Sequence, residues 1–418
     1  MSLITQGIFG FFAIFLFCAA ISEKRRQIQL MPIIKGIIVQ LILAFLILKF
    51  TPIREFFHWI GDGVNALREA TIAGTSFVFG YMGGGEAPFV ASNPNKLFVF
   101  AFQALPLLIV VSAIAMLLFY WRILPVIVQG LSWFFRKTLS VGGALGVCSG
   151  AKIFLGQTEA PLLIKPYLNQ MNRGEIFTIM TLGLATTSGT ILAIYASILE
   201  PAVPHVLTHI ITASIINIPA AITLSRMVIP HGELETSGKV IMPYEFSSAM
   251  DSITKGTGDG LKLFLNVVAM LIVFIALVAL VNKILGCFPD WGDAPVTLQR
   301  LLGYVMAPVT WLMGIPASEI TVTGALLGIK TILNEMYAYT ELAGIAVEDL
   351  SPSSRVIMTY ALCGFANISS IGILIGGLGG MAPERRPLVI ELGWKALLIG
   401  TLSSCLSGTI VGLILHIF

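Results

Sequence analysis

Eight long apolar runs constrain this chain more than anything else in it. They cover residues 3–21, 33–50, 97–120, 175–199, 205–229, 261–285, 355–378 and 388–417. Each reaches or approaches the roughly 20 residues a helix needs to cross the hydrocarbon core of a bilayer. Only 11% of the 418 residues are charged and 56% are hydrophobic, where a soluble domain carries about a quarter charged residues. Such a chain cannot cover itself against water, so the expectation is an all-α integral membrane protein with eight transmembrane helices. The formal charge is +3 and no basic run exceeds Lys24, Arg25 and Arg26, which argues against nucleic-acid binding. Cys18, Cys148, Cys287, Cys363 and Cys405 form no C-x-x-C pair and no cluster with histidine. They read as small packing residues, and neither a metal nor a cofactor is expected.

Charge placement predicts the topology. Lys24, Arg25 and Arg26 follow the first run and belong on the cytoplasmic side, which puts the N-terminus outside. Basic residues after an apolar run reverse the order of a cleaved signal peptide, so the first run is expected to remain as a membrane helix. Arg385 and Arg386 precede the last run on the same side, consistent with an even number of spans. Residues 52–70, 124–139 and 297–313 mix apolar and charged residues at helical spacing, as helices lying at the interface do. Residues 141–172 and 317–346 are apolar but interrupted by glycines and polar residues, and each is long enough for two half-helices that enter the membrane and return. Non-helical backbone at that depth is tolerated only where protein buries it or it lines an aqueous cavity. Two re-entrant hairpins therefore point to a solute pathway.

The second half partly repeats the first. A displacement of 178 residues pairs Gly146 with Gly324, Gly150 with Gly328, Lys152 with Lys330, Leu155 with Leu333 and Ala160 with Ala338. The identities continue at Ile179/Ile357, Met180/Met358, Thr181/Thr359 and Leu184/Leu362, and Gln157 falls opposite Glu335. An inverted repeat with interrupted helices is the layout of many secondary transporters, whose site lies near the midplane between the repeats.

The polar residues gather at four places. The first hairpin carries "GQTEAP" (156–161), with Lys152 before it, and the second carries Asn334 and Glu335 in "LNEMYAY". Charged groups at bilayer depth are expensive and are usually functional or paired. Lys152 and Glu159 either neutralise each other or serve a site. "ATTSGT" (185–190) interrupts the fourth run and "CGFANISS" (363–370) the seventh. Such residues either free backbone groups for a ligand or let helices pack closely. Asn367 and Ser370 lie three apart on one helical face, beside Phe365. A carboxylate suits vicinal hydroxyls, a carboxamide suits a heterocyclic edge, and Phe365 offers a flat apolar wall. These residues fit a neutral, polyhydroxylated or heterocyclic solute.

"GQTEAPLLIKPYL" (156–168), "NEMYAY" (334–339) and "ALCGFANISSIGIL" (361–374) resemble the concentrative nucleoside transporter family, and the resemblance extends over the chain. It implies a homotrimer in which each protomer joins a scaffold to a mobile transport domain. Residues 1–120 and helix six at 259–285 would form the scaffold. Residues 121–230, with hairpin 141–172, and 297–418, with hairpin 317–346, would form the two transport-domain repeats. Carried over position by position, Gln157, Thr158 and Glu159 match the base-side motif, and Glu335, Asn367 and Ser370 match the ribose positions. Phe365 and Ile191 match the apolar contacts, Ile191 as a conservative aliphatic choice.

One position departs from the family pattern. Sodium-coupled members begin the hairpin word with an asparagine of their sodium site, and this chain has Lys152 there. An ammonium would take sodium's space and charge, although Thr186 and Thr187 could still supply oxygens. The expectation is an ion-coupled nucleoside symporter driven by protons, with Glu159 or Glu335 as the titrating group. Sodium coupling is the alternative, and a channel a more remote one. An enzyme is not expected, since no H-E-x-x-H or G-x-S-x-G signature is present. The partners expected are nucleoside, a coupling proton or sodium, membrane lipid and two further copies of the chain. A bacterial inner membrane is the expected location, since the long polar tails of animal relatives are missing.

Overall fold

The computed structural model describes residues 2–90, 97–230, 236–238, 245–291 and 294–417. Regular structure among them is helical, apart from one isolated bridge between Trp291 and Ala294. The helices run α1 Leu3–Ala20, α2 Leu30–Lys49, α3 Thr51–Phe79, α4 Phe100–Gln103, α5 Leu107–Tyr120 and α6 Ile123–Leu139. They continue as α7 Gly143–Ala151, α8 Glu159–Leu162, α9 Arg173–Ala185, α10 Gly189–Leu199, α11 Val206–Val228 and α12 Ala249–Leu285. The last six are α13 Leu298–Leu312, α14 Ile320–Ile332, α15 Glu335–Gly344, α16 Pro352–Leu362, α17 Ile368–Met381 and α18 Arg386–Ile417.

Among the described residues, seven stretches are long and apolar enough to cross a membrane: Leu3–Ala20, Leu30–Lys49, Phe100–Tyr120, Arg173–Leu199, Val206–Val228, Ala249–Leu285 and Pro383–Ile417. The remaining expected run, 355–378, is covered by α16 and α17, each too short to cross alone. Burial sorts the helices into two groups. α9, α10, α11 and α18 are mostly enclosed, whereas α12 leaves much of its apolar stretch exposed, with Gly256 and Gly260 packed closely on α5. Leu265, Ile272 and Val273 stand exposed on α12, a surface that needs an apolar solvent or partner.

The two halves use the same packing device. Gly146 and Gly150 of α7 face α6, where a β-carbon on Gly150 would lie 2.9 Å from Ser132 N and Val128 O. Gly324 and Gly328 of α14 face α13, and a β-carbon on Gly324 would lie 2.5 Å from Gly303 O. The G-x-x-x-G spacing thus lets backbone approach backbone twice, at the repeat-related positions.

Several expected elements differ in extent. The helix expected at 52–70 continues to Phe79, even though "TIAGTSFVF" is rich in weak helix formers. Helix six begins at Ala249, capped by Ser248 accepting from Asp251 N. The returning arm of segment 141–172 is mostly irregular: α8 spans four residues and a 3-10 turn follows at Lys165–Tyr167. Pro161 and Pro166 remove backbone donors there, so a second full helical arm cannot form. Segment 317–346 does give two helices, α14 and α15. Cys287 is exposed and does not serve packing, unlike the four buried cysteines.

Candidate functional site

The site is built where two helix breaks meet two turns. α9 ends at Ala185 and α10 starts at Gly189, so Thr186, Thr187 and Ser188 leave the helical path. α16 ends at Leu362 and α17 starts at Ile368, with Cys363 to Asn367 between them. Hydroxyl, amide and glycine residues are weak helix formers and strong cap formers, which is why the breaks fall at these words. Asn367 is the N-cap of α17, its Oδ1 accepting from Ser370 N at 2.9 Å and Ser369 Oγ at 2.7 Å. Asn334 caps α15 in the same way, accepting from Tyr337 N at 2.8 Å.

In the first turn, Glu159 Oε2 accepts from Gly156 N at 2.9 Å. Its carboxylate therefore closes its own turn and does not bond Lys152, whose buried Nζ has no hydrogen-bond partner. Lys152 Nζ stands 5.9 Å from the centre of the Phe365 ring, inside cation–π range. Lys152 and Glu159 thus share no direct hydrogen bond. The backbone of this segment also meets the fourth-run break, where Gly189 N donates to Phe154 O at 3.1 Å. A β-carbon on Gly189 would lie 3.2 Å from that oxygen, a tight contact with backbone that glycine avoids.

Glu335 is the polar hub. Its Oε1 accepts from Tyr195 OH at 2.5 Å and its Oε2 from Asn367 Nδ2 at 3.0 Å. Three elements, α10, α15 and α17, converge on one buried carboxylate. Tyr195 also packs against Tyr339 with ring centroids 4.8 Å apart. Sequence reasoning missed Tyr195. The signal was its position four residues after Ile191, hence on the same face of α10.

The other expected site residues fall around this hub. Ile191, Asn367 and Ser370 are buried, and Phe365 is half-buried. Gln157 is buried with Oε1 unpartnered, and a β-carbon on Gly183 of α9 would lie 3.4 Å from its own β-carbon. Thr158 points its methyl at Gly377 of α17. Thr186 Oγ1 donates to Leu182 O at 2.7 Å, and Thr187 Oγ1 lies 3.8 Å from Cys363 Sγ. A carboxylate has about four acceptor positions, so Glu335 can receive two further donors beyond Tyr195 and Asn367. With the free Gln157 oxygen and the Phe365 face, the set can take a diol on one side and a flat polar ring on the other. The opposite face of α10 borders a separate cleft, where Arg68 of α3 pairs with Glu200 at 2.7 Å and His58 meets His205.

Three family models match the chain in succession. They are described as Na+ dependent nucleoside transporter N-terminus over residues 9–82, Nucleoside recognition over 101–202, and Na+ dependent nucleoside transporter C-terminus over 209–412. The chain is 35% identical to an uncharacterized transporter, YutK, of Bacillus subtilis, over 97% of this chain and 98% of the relative. It is 33% identical to the nucleoside permease NupC of Helicobacter pylori, over 97% of each. Among solved structures it resembles CNTnw in an inward-facing substrate-bound state, with a TM-score of 0.90 and 30% identity over 100% of this chain and 99% of the other.

Proposed function

The chain belongs to the concentrative nucleoside transporter family, a multi-pass membrane transporter family and not an enzyme family, and on that footing we propose that it is a proton-coupled, sodium-independent nucleoside symporter. The observation that carries the substrate side is the Glu335 carboxylate held between Tyr195 of α10 and Asn367 at the start of α17. Glu335, Asn367 and Ser370 take the ribose, Gln157, Thr158 and Glu159 take the base, and Phe365 and Ile191 supply the apolar walls.

The ion side rests on Lys152. Its ammonium is buried, unpartnered and next to Phe365. At the position where sodium-coupled members have asparagine, a fixed positive charge does sodium's electrostatic work and repels the ion. Protons then drive uptake, bound at Glu159 or Glu335. Sodium coupling is the second reading, favoured by the description of the family models as Na+ dependent and by Thr186 and Thr187, whose oxygens remain at the break.

Residues 141–172 and 317–346 act as re-entrant hairpins, and with 121–230 and 297–418 generally they form the moving part against a scaffold of 1–120 and 259–285. The bare apolar surface of α12 supports burial against lipid or against the other members of a trimer. The protein sits in a bacterial inner membrane with eight spans, α16 and α17 acting in series as one, and its N-terminus outside.

Uptake of radiolabelled uridine into proteoliposomes tests this directly. A proton gradient should drive accumulation above equilibrium in sodium-free buffer, and Lys152→Asn should confer sodium dependence. Uptake driven by sodium at constant pH would sink the proton assignment. Equilibration without accumulation under either gradient would mean a channel.

A further inference from the structure

Asn217 lies in the middle of α11, fully buried in an apolar helix where an amide is costly unless it is bonded. Its Nδ2 donates to Ala185 O at 2.7 Å and to Cys363 O at 2.9 Å. Ala185 is the last residue of α9 and Cys363 is the C-cap of α16. These two carbonyls belong to the set that every helix terminus leaves without an intrahelical donor. They are also separated by 178 residues, the displacement that relates the two repeats. One amide group therefore serves the equivalent orphan carbonyl in both halves of the molecule.

The two breaks touch directly at this point. Gly364 has φ +142, and a β-carbon on it would lie 2.6 Å from Ala185 O. Only glycine permits the backbones to come so close. The carbonyls also fix which way the amide faces, since an oxygen turned toward them would oppose two acceptors. Asn217 Oδ1 is left without a hydrogen-bond partner.

We infer that Asn217 is a positioning residue that clamps the two helix breaks together and so holds the two halves of the proposed nucleoside site in one register. Thr186 to Ile191 flank one clamped carbonyl, and Phe365 to Ser370 flank the other. The hydrogen bonds of Asn217 go to the backbone at Ala185 and Cys363 and not to the proposed nucleoside contacts, so its effect passes through that backbone. The inference rests on the nucleoside-binding reading given above.

Asn217→Asp keeps the shape but offers two carbonyls at most one donor, the O–H of the protonated acid, and Asn217→Leu removes all polarity. Nucleoside affinity is measured by calorimetry on the purified full chain. Both variants should raise Kd by about tenfold or more, the worth of one to two buried hydrogen bonds, while Asn217→Gln, which retains the donor, recovers part of the loss. A purely structural role is separated by a double-mutant cycle between Ile191→Ala and Ser370→Ala. With Asn217 present, their combined effect on Kd should depart from the product of the single effects by more than about threefold. In the Asn217→Leu background it should become multiplicative. If that background does not fold, the cycle is run with Gly364→Ala, which forces the breaks apart without altering Asn217. Asn217→Asp binding within about twofold of wild type, or a cycle unchanged in either background, overturns the inference. Wild-type protein that binds no nucleoside overturns the nucleoside reading instead.

Discussion

Lys330 and Lys152 occupy equivalent places in the two repeats, and only one of them is bonded. Lys330 Nζ donates to Ala361 O at 2.7 Å and to Ser404 Oγ at 2.8 Å, both buried. Lys152 Nζ, equally buried, donates to nothing. In the second repeat the lysine satisfies an orphan carbonyl at the end of α16 and ties α14 to α18. In the first, the equivalent position holds a buried amine with no hydrogen-bond partner.

Opposite stability effects should follow. Lys330→Met strands two buried acceptors, each costing about 1–3 kcal/mol, and should lower the melting temperature of the detergent-purified protein. Lys152→Met breaks no hydrogen bond and removes a desolvated ammonium, so its melting temperature should match or exceed wild type. Thermal unfolding followed by intrinsic fluorescence reads both. Equal losses in the two variants would mean that Lys152 has a bonding partner after all.

The hub around Glu335 makes a graded prediction. Glu335→Ala removes the acceptor for Tyr195, Asn367 and the proposed ribose, and should cost about two orders of magnitude in nucleoside affinity, or near 3 kcal/mol. Tyr195→Phe keeps the ring against Tyr339 and loses only the hydroxyl. A hydrogen bond to a charged group is worth about 1.5–3 kcal/mol, part of which the substrate can replace, so KM should rise by about tenfold with the maximal rate little changed. A Tyr195→Phe variant with unaltered KM would show that the hydroxyl does not help aim the carboxylate.

Much of this was legible in the sequence because it was written in residue type and spacing. Apolar run length identified most of the long helices, and Gly, Ser, Thr and Asn words marked both breaks. Asn334 and Asn367 stand where helices begin, as cap residues do. What stayed hidden depends on three-dimensional approach. Tyr195 reads as one more aromatic in an apolar run until Glu335 arrives from 140 residues away. Asn217 sits in a helix interior with no local cue, since both of its acceptors lie in other helices. The short returning arm after Gln157 was misjudged because length suggested a helix, while Pro161 and Pro166 decided otherwise.

The repeated glycines should separate packing from flexibility. Gly324→Ala places a β-carbon 2.5 Å from Gly303 O. Backbone cannot yield as a side chain does, so the substitution should destabilise by about 1–3 kcal/mol. Gly63→Ala in α3 meets nothing within 4 Å, and should stabilise by about 0.5–1 kcal/mol through helix propensity alone. Melting temperatures of the two variants should therefore move in opposite directions.

A charge network centred on Glu23, in the connection between α1 and α2, sets an acid limit on stability. Glu23, in the connection after α1, accepts from Arg173 at 2.9 Å and from Lys395 at 2.6 Å, and Arg173 also pairs with Glu391 at 2.7 Å. The network ties the α1–α2 connection to α9 and α18. The hydrogen bond from Arg173, helped by Lys395 and opposed by burial, lowers the Glu23 carboxyl from its ordinary 4.5 to about 2. A group whose folded value lies below its unfolded value binds protons more readily when unfolded, so its contribution is complete above about 4.5 and disappears as pH falls toward 2. Glu23→Gln should lower the melting temperature at pH 7. The gap between variant and wild type should then narrow as pH drops through that window and stay constant above it. A gap that widened on acidification would mean that Glu23 is protonated in the folded protein, with the pairs to Arg173 and Lys395 unmade.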